Sequence, residues 1–176
     1  MHKSYKFNYL FNATLSAIAV ILAVTPANAL PDQNISTVVK WAKTRPQLPT
    51  LRYNSEAHGY EGTKGNLYFY ADVTQENGTV TKEGITVSGS DRLKFTTKNV
   101  NAVKLLQNIY NSNIANDFQK SRYITKVERD QFYRGQKFAY IAAEVQGGSS
   151  FQIIPLKKLQ EFINNAKYCQ TNQCDL

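Results

Sequence analysis

Apolar residues recur along this chain at two spacings, and the switches between them mark out its elements. Ile35, Val38, Val39 and Ala42 follow at helical spacing, with Asn34 or Ser36 placed to cap the start and Pro46 to stop the run, so a first helix over Ser36–Thr44 is expected. A proline-containing connector, Gln47 to Thr50, leads into a strand near Thr50–Asn54. The stretch Ser55 to Asn66 carries three glycines and little periodicity; it reads as a loop with a short strand at Gly59–Glu61. Leu67 to Thr74 then gives the strongest strand signal. Leu67, Phe69, Ala71 and Val73 share one face, and Tyr68, Tyr70, Asp72 and Thr74 the other. Glu76-Asn77-Gly78 supplies a tight turn, Thr79–Thr81 the start of a return strand, and Ile85–Ser88 and Leu93–Thr96 further strand segments.

Past Asn99 the period changes to that of a helix. Val103, Leu106 and Tyr110 line one side, which predicts a helix over Val100–Asn111, followed by a second piece over Ile114–Lys120 carrying Phe118 inward. Tyr123–Val127, Gln136–Gln146 and Ser150–Ile154 are strands, the last two joined through Gly147-Gly148-Ser149. A final helix begins with Pro155 in its first turn, where the missing N–H has no helical partner, and buries Leu156, Leu159, Phe162, Ile163 and Ala166.

The expected order is therefore α, strands, α, strands, α. Short turns between successive strands favour antiparallel pairing with helices gathered on one side, an α+β fold of mainly antiparallel sheet carrying about three amphipathic helices. Tyr60-x-Gly62-x-Lys64 and Tyr133-x-Gly135-x-Lys137 match at an offset of 73, and the strands after them, from Phe69 and Ile141, at 72. A decayed internal repeat of this kind predicts two superimposable strand-turn-helix units.

Residues 1–29 follow a different logic. Lys3 and Lys6 give a positive start, Leu15–Val24 is an apolar run too short to span a bilayer, and Ala27-Asn28-Ala29 forms a small-x-small cleavage site. The expectation is a signal peptide over 1–29, one secreted α+β domain over 30–176, and a periplasmic or extracellular location with no stable membrane insertion after cleavage. Mean hydropathy is low at −0.43, but the 12% aromatic content gives the chain enough large apolar groups to build a core. The leader takes two of the 21 basic residues and none of the 13 acidic ones, so the remainder carries a net charge of +6. Lys157-Lys158 is the only adjacent basic pair and no nucleic-acid-binding pattern is present, so nucleic acid is not an expected partner; an acidic envelope polymer or a protein is.

Chemistry is conspicuous mainly by what the sequence lacks. Beyond the leader, His58 is the sole histidine, which leaves no HExxH or histidine-rich metal site and no G-x-S-x-G motif for it to serve. The glycines between Gly59 and Gly65 match no phosphate-binding loop. No metal or cofactor is expected. Cys169 and Cys174, in a polar segment of an exported chain, are expected to form a disulfide that pins the C-terminal tail, worth roughly 2 kcal/mol for so short a loop.

Two groups remain as candidate sites. Tyr68 and Tyr70, with Phe138 and Tyr140 on the later strand, present flat rings suited to sugar or protein contacts if their sheet face is open, and serve as core if a helix covers it. Asp72 and Glu144 occupy matching places in the repeat and would serve a glycosidase-type mechanism if roughly 5–10 Å apart. The pattern implies a noncatalytic exported module that binds an envelope component, polysaccharide or partner protein, with a small exported hydrolase using paired carboxylates as the alternative.

Overall fold

The computed structural model describes residues 30–89 and 93–172; the expected leader 1–29 and Cys174 lie outside the described residues. In chain order the elements are α1 (Ile35–Lys43), β1 (Arg52–Asn54), β2 (Gly59–Lys64), β3 (Leu67–Val73), β4 (Val80–Ser88), α2 (Val100–Ile109), α3 (Ser112–Gln119), β5 (Arg122–Val127), β6 (Asp130–Arg134), β7 (Phe138–Val145), β8 (Gly148–Pro155), a 3-10 turn (Leu156–Lys158) and α4 (Leu159–Asn172). The strands form one antiparallel sheet in the order β1-β2-β3-β4-β8-β7-β6-β5, so the fold is α+β as the periodicity predicts. No helix among the described residues is long and apolar enough to cross a membrane.

Local chemistry sets the element boundaries. Asn34, Asn99 and Asn111 each sit in extended backbone just before a helix, and their side-chain oxygens accept from backbone N–H groups that the first helical turn leaves unpaired. Gly65 and Gly147 adopt positive φ values of 61° and 76° in the β2–β3 and β7–β8 turns, where a side chain would be strained.

Two cores flank the sheet. On one face, α1, α2 and α3 cover Phe69, Ala71, Ile85, Tyr140, Phe151 and their neighbours. On the other face, α4 covers only the second half of the sheet, over Val127, Phe132, Ala139, Ile141 and Ile154. The helices thus lie on both faces, not on one as expected. The strands explain why: β3 alternates buried with half-exposed residues, whereas β7 runs Ala139-Tyr140-Ile141-Ala142 without a polar break and needs cover on both sides.

Other departures have equally local causes. Gly84 does not interrupt β4, which is one strand of nine residues. Leu93–Thr96 is irregular instead of a strand; it exists to deliver Phe95, buried against Phe151 with ring centroids 5.1 Å apart. The strand β6 was not foreseen. Pro155 closes β8 instead of opening the last helix, and α4 runs on through Cys169 to Asn172, so Cys169 stands on a helix and not in a surface turn.

The strand order reads the same from either edge, as two fused four-strand meanders. Tyr60 and Tyr133 both occupy the second strand of their meander and both face the α1–α3 layer, in keeping with the offset of 73. The offset of 72 fails, because Phe69 faces α1–α3 and Ile141 faces α4. Register places Phe138, not Ile141, where Phe69 stands. The helices that follow the two meanders also diverge, α2 to one face and α4 to the other.

Candidate functional site

Because α4 stops short of it, the face of β1–β4 opposite the α1–α3 layer carries no helix among the described residues. Tyr68 and Tyr70, two apart on β3, both project there. Their rings stack side by side, with centroids 5.7 Å apart and planes 27° apart.

Each tyrosine is held from below and from the side. Tyr70 lies across the strand from Gly84, and a Cβ on Gly84 would come within 2.7 Å of the Tyr70 ring, so the bare backbone gives the ring its bed. The Tyr70 side chain is also hydrogen-bonded to that of Ser150 on β8. The Tyr68 hydroxyl donates to Glu61 Oε2 on β2, and Asn54 Nδ2 on β1 donates to Glu61 Oε1 at 2.8 Å. These two hydrogen bonds, that from Tyr68 the stronger, hold the Glu61 carboxyl below its ordinary range. Burial, and then the Glu61 carboxylate, push the Tyr68 hydroxyl well up, so both groups keep their charge states around neutral pH.

The rest of the face is ionic and balanced. Lys82 Nζ meets Asp72 Oδ2 at 2.9 Å, directly across the β3–β4 pair, and sits 5.6 Å from the centre of the Tyr70 ring. Arg52 shares a register position with Glu61. Arg52 and Lys82 thus match Glu61 and Asp72 in charge around the tyrosines, Lys82 and Asp72 as an ion pair and Arg52 through its place beside Glu61.

At the boundary with α4 the platform drops into a cleft of about 280 Å³. Phe132 and Ile141 form its floor, Phe162 and Ala166 its α4 wall, and Lys82 and Gln152 the side shared with the platform. Asp130 lines the same cleft, and burial raises its carboxyl above the ordinary range. At its lip, Glu128 holds a left-handed backbone with φ 50°, an uncommon conformation for a residue with a side chain.

The four aromatic candidates part company. Phe138 and Tyr140 face the α1–α3 layer, and Tyr140 is fully buried, with its hydroxyl 2.6 Å from Asp117 Oδ2. They belong to the core. Of the four, only Tyr68 and Tyr70 stand on the face that α1–α3 and α4 leave uncovered, and both are half-buried there. Asp72 and Glu144 fare likewise: Asp72 points to the open face and pairs with Lys82, while Glu144 points to the opposite face near Lys94, so the proposed pair of catalytic carboxylates does not form. His58 is exposed in the β1–β2 turn at φ 48°. Among the described residues, no three His, Cys, Asp or Glu side chains are grouped to hold a metal.

Sequence reasoning did not anticipate Asn54, Glu61, Lys82, Gly84 or Ser150 as members of the site. Gly84 carried the one usable signal, a glycine inside an otherwise continuous β pattern, which marks a bulge or the close approach of a neighbour. Comparison with protein-family models, curated proteins and solved structures finds no match.

Proposed function

We propose that the protein is a noncatalytic exported module, periplasmic or extracellular, that binds an uncharged polysaccharide of the envelope on the Tyr68–Tyr70 face. The observation that carries this reading is the stacked tyrosine pair on a sheet face that carries no helix among the described residues, fixed in place by Gly84, Glu61 and Ser150. Flat rings offer apolar faces to sugar rings, and the surrounding Asn54, Glu61, Asp72 and Lys82 offer acceptors and donors to sugar hydroxyls. Side chains that are already held lose little freedom on binding. The even balance of charge suits an uncharged polymer better than an acidic one. The signal peptide over 1–29 and the Cys169–Cys174 bridge belong to the same reading, since both assign the folded part to an oxidising compartment.

The test is retention of the protein on immobilised neutral envelope polysaccharide. The wild type is retained, and Tyr68→Ala/Tyr70→Ala weakens binding by roughly tenfold or more. Absence of retention, or retention indifferent to the double substitution, refutes the reading.

A further inference from the structure

The net positive charge of the chain has to reside somewhere other than the balanced tyrosine face. We infer that the outer surface of the α1–α3 layer, on the far side of the sheet, is a docking surface for a linear polyanion, an acidic polysaccharide bearing regularly spaced carboxylates. This surface is separate from the tyrosine face, and the inference does not depend on it.

Among α1, α2 and α3 the only carboxylate is Asp117, and both of its oxygens are engaged, one by the Gln136 N–H at 2.9 Å and the other by the Tyr140 hydroxyl at 2.6 Å. Lys40, Lys43 and Lys104 stand exposed on these helices, with Lys98 and Lys120 at their ends, and none of the five has an ion-pair partner among the described residues. Lys94 nearby does, with Glu144 at 3.8 Å. Glu76 sits on the β3–β4 hairpin tip that hydrogen-bonds the first residue of α1, at the opposite end of that helix from Lys43. Helix stability does not account for the pattern. Lys40 and Lys43 do favour the negative C-terminal end of α1, but Lys98 precedes the N-cap of α2, where a cation opposes the helix dipole. Unpaired cations on a surface where the described residues leave no carboxylate free beside them raise the local concentration of a polyanion and hold it by displacing its counterions.

The probe is polygalacturonate, with neutral dextran and vesicles containing phosphatidylglycerol as comparison arms, all at low salt. Lys40→Glu/Lys43→Glu/Lys104→Glu should weaken polygalacturonate binding by roughly tenfold or more, while the equal charge change Lys126→Glu/Arg129→Glu/Lys167→Glu, three exposed cations on β5, the β5–β6 turn and α4 that also lack an ion-pair partner among the described residues, costs about twofold or less. If reversal at the end of α1 unfolds the chain, Lys40→Gln/Lys43→Gln/Lys104→Gln replaces it, with the same direction expected. Tyr68→Ala/Tyr70→Ala should bind polygalacturonate as the wild type does, which separates failure here from failure of the tyrosine-face reading. Equal losses in the two charge variants, no binding of polygalacturonate, or tighter binding to the vesicles than to the polymer would each overturn the inference.

Discussion

Glu83 stands directly opposite Ile153 where β4 meets β8, and both side chains point into the core beneath α1–α3. Glu83 is 0% exposed, and neither carboxyl oxygen has a hydrogen-bond partner among the described residues. The Tyr110 hydroxyl, near enough for the Glu83 carboxylate to raise its pKa, and Trp41 Nε1 are likewise buried, and neither has a hydrogen-bond partner among the described residues. Burial alone raises its pKa well above the ordinary range of a glutamate.

Stability should therefore fall with rising pH through this residue. Above about pH 4.5 the unfolded chain releases the Glu83 proton while the folded one keeps it, a loss of about 1.4 kcal/mol per pH unit until the folded pKa is reached. Urea titrations from pH 4 to 8 should show a gap between wild type and Glu83→Gln that widens in favour of the variant as pH rises. Glu83→Leu, which turns the site into a counterpart of Ile153, should be the more stable protein at pH 7. Parallel curves for wild type and Glu83→Gln would mean that the carboxyl ionises freely in the fold.

The bed of Tyr70 gives a second prediction. An alanine Cβ at position 84 would lie 2.7 Å from both the Tyr70 ring and the Phe151 carbonyl oxygen, and the latter is backbone that cannot swing aside. Gly84→Ala should cost about 1–3 kcal/mol of stability, measured by denaturant unfolding, and should weaken polysaccharide binding in the folded fraction. An unaltered melting temperature together with unaltered binding would show that Tyr70 does not depend on this contact.

Asp117 offers a third. It ties α3 to the β6–β7 turn and to the buried Tyr140 hydroxyl, so Asp117→Ala leaves that hydroxyl without its acceptor and should cost about 1–3 kcal/mol. Tyr140→Phe removes the stranded group, and in a double-mutant cycle the second substitution should cost less in the Asp117→Ala background than in the wild type. Strict additivity would deny the coupling.

The two meanders differ in how plainly their sequences declared them. In Leu67–Val73 the alternation of apolar and polar residues gave strand, face and register of side chains together, because only one side of β3 is covered. In Ala139–Ala143 both sides are covered, so alternation disappears, and with it any means of telling Tyr140, a core residue, from Tyr68, an open one. The same loss hid the placement of α4, whose apolar stripe was legible while the face receiving it was not. Asn54, Glu61 and Ser150 reach the tyrosines only through strand pairing between β1, β2, β3, β4 and β8, a long-range relationship that no local pattern encodes.

The most direct test of the tyrosine face is amide chemical-shift mapping with a soluble uncharged hexasaccharide from the retained polysaccharide. Recognition on this surface predicts shifts concentrated at Glu61, Tyr68, Tyr70, Lys82 and Thr86, the residue opposite Tyr68 across the β3–β4 pair, all lost in Tyr68→Ala/Tyr70→Ala. Shifts confined to α1–α3 or to the outward surface of α4, with β2–β4 silent, would contradict it.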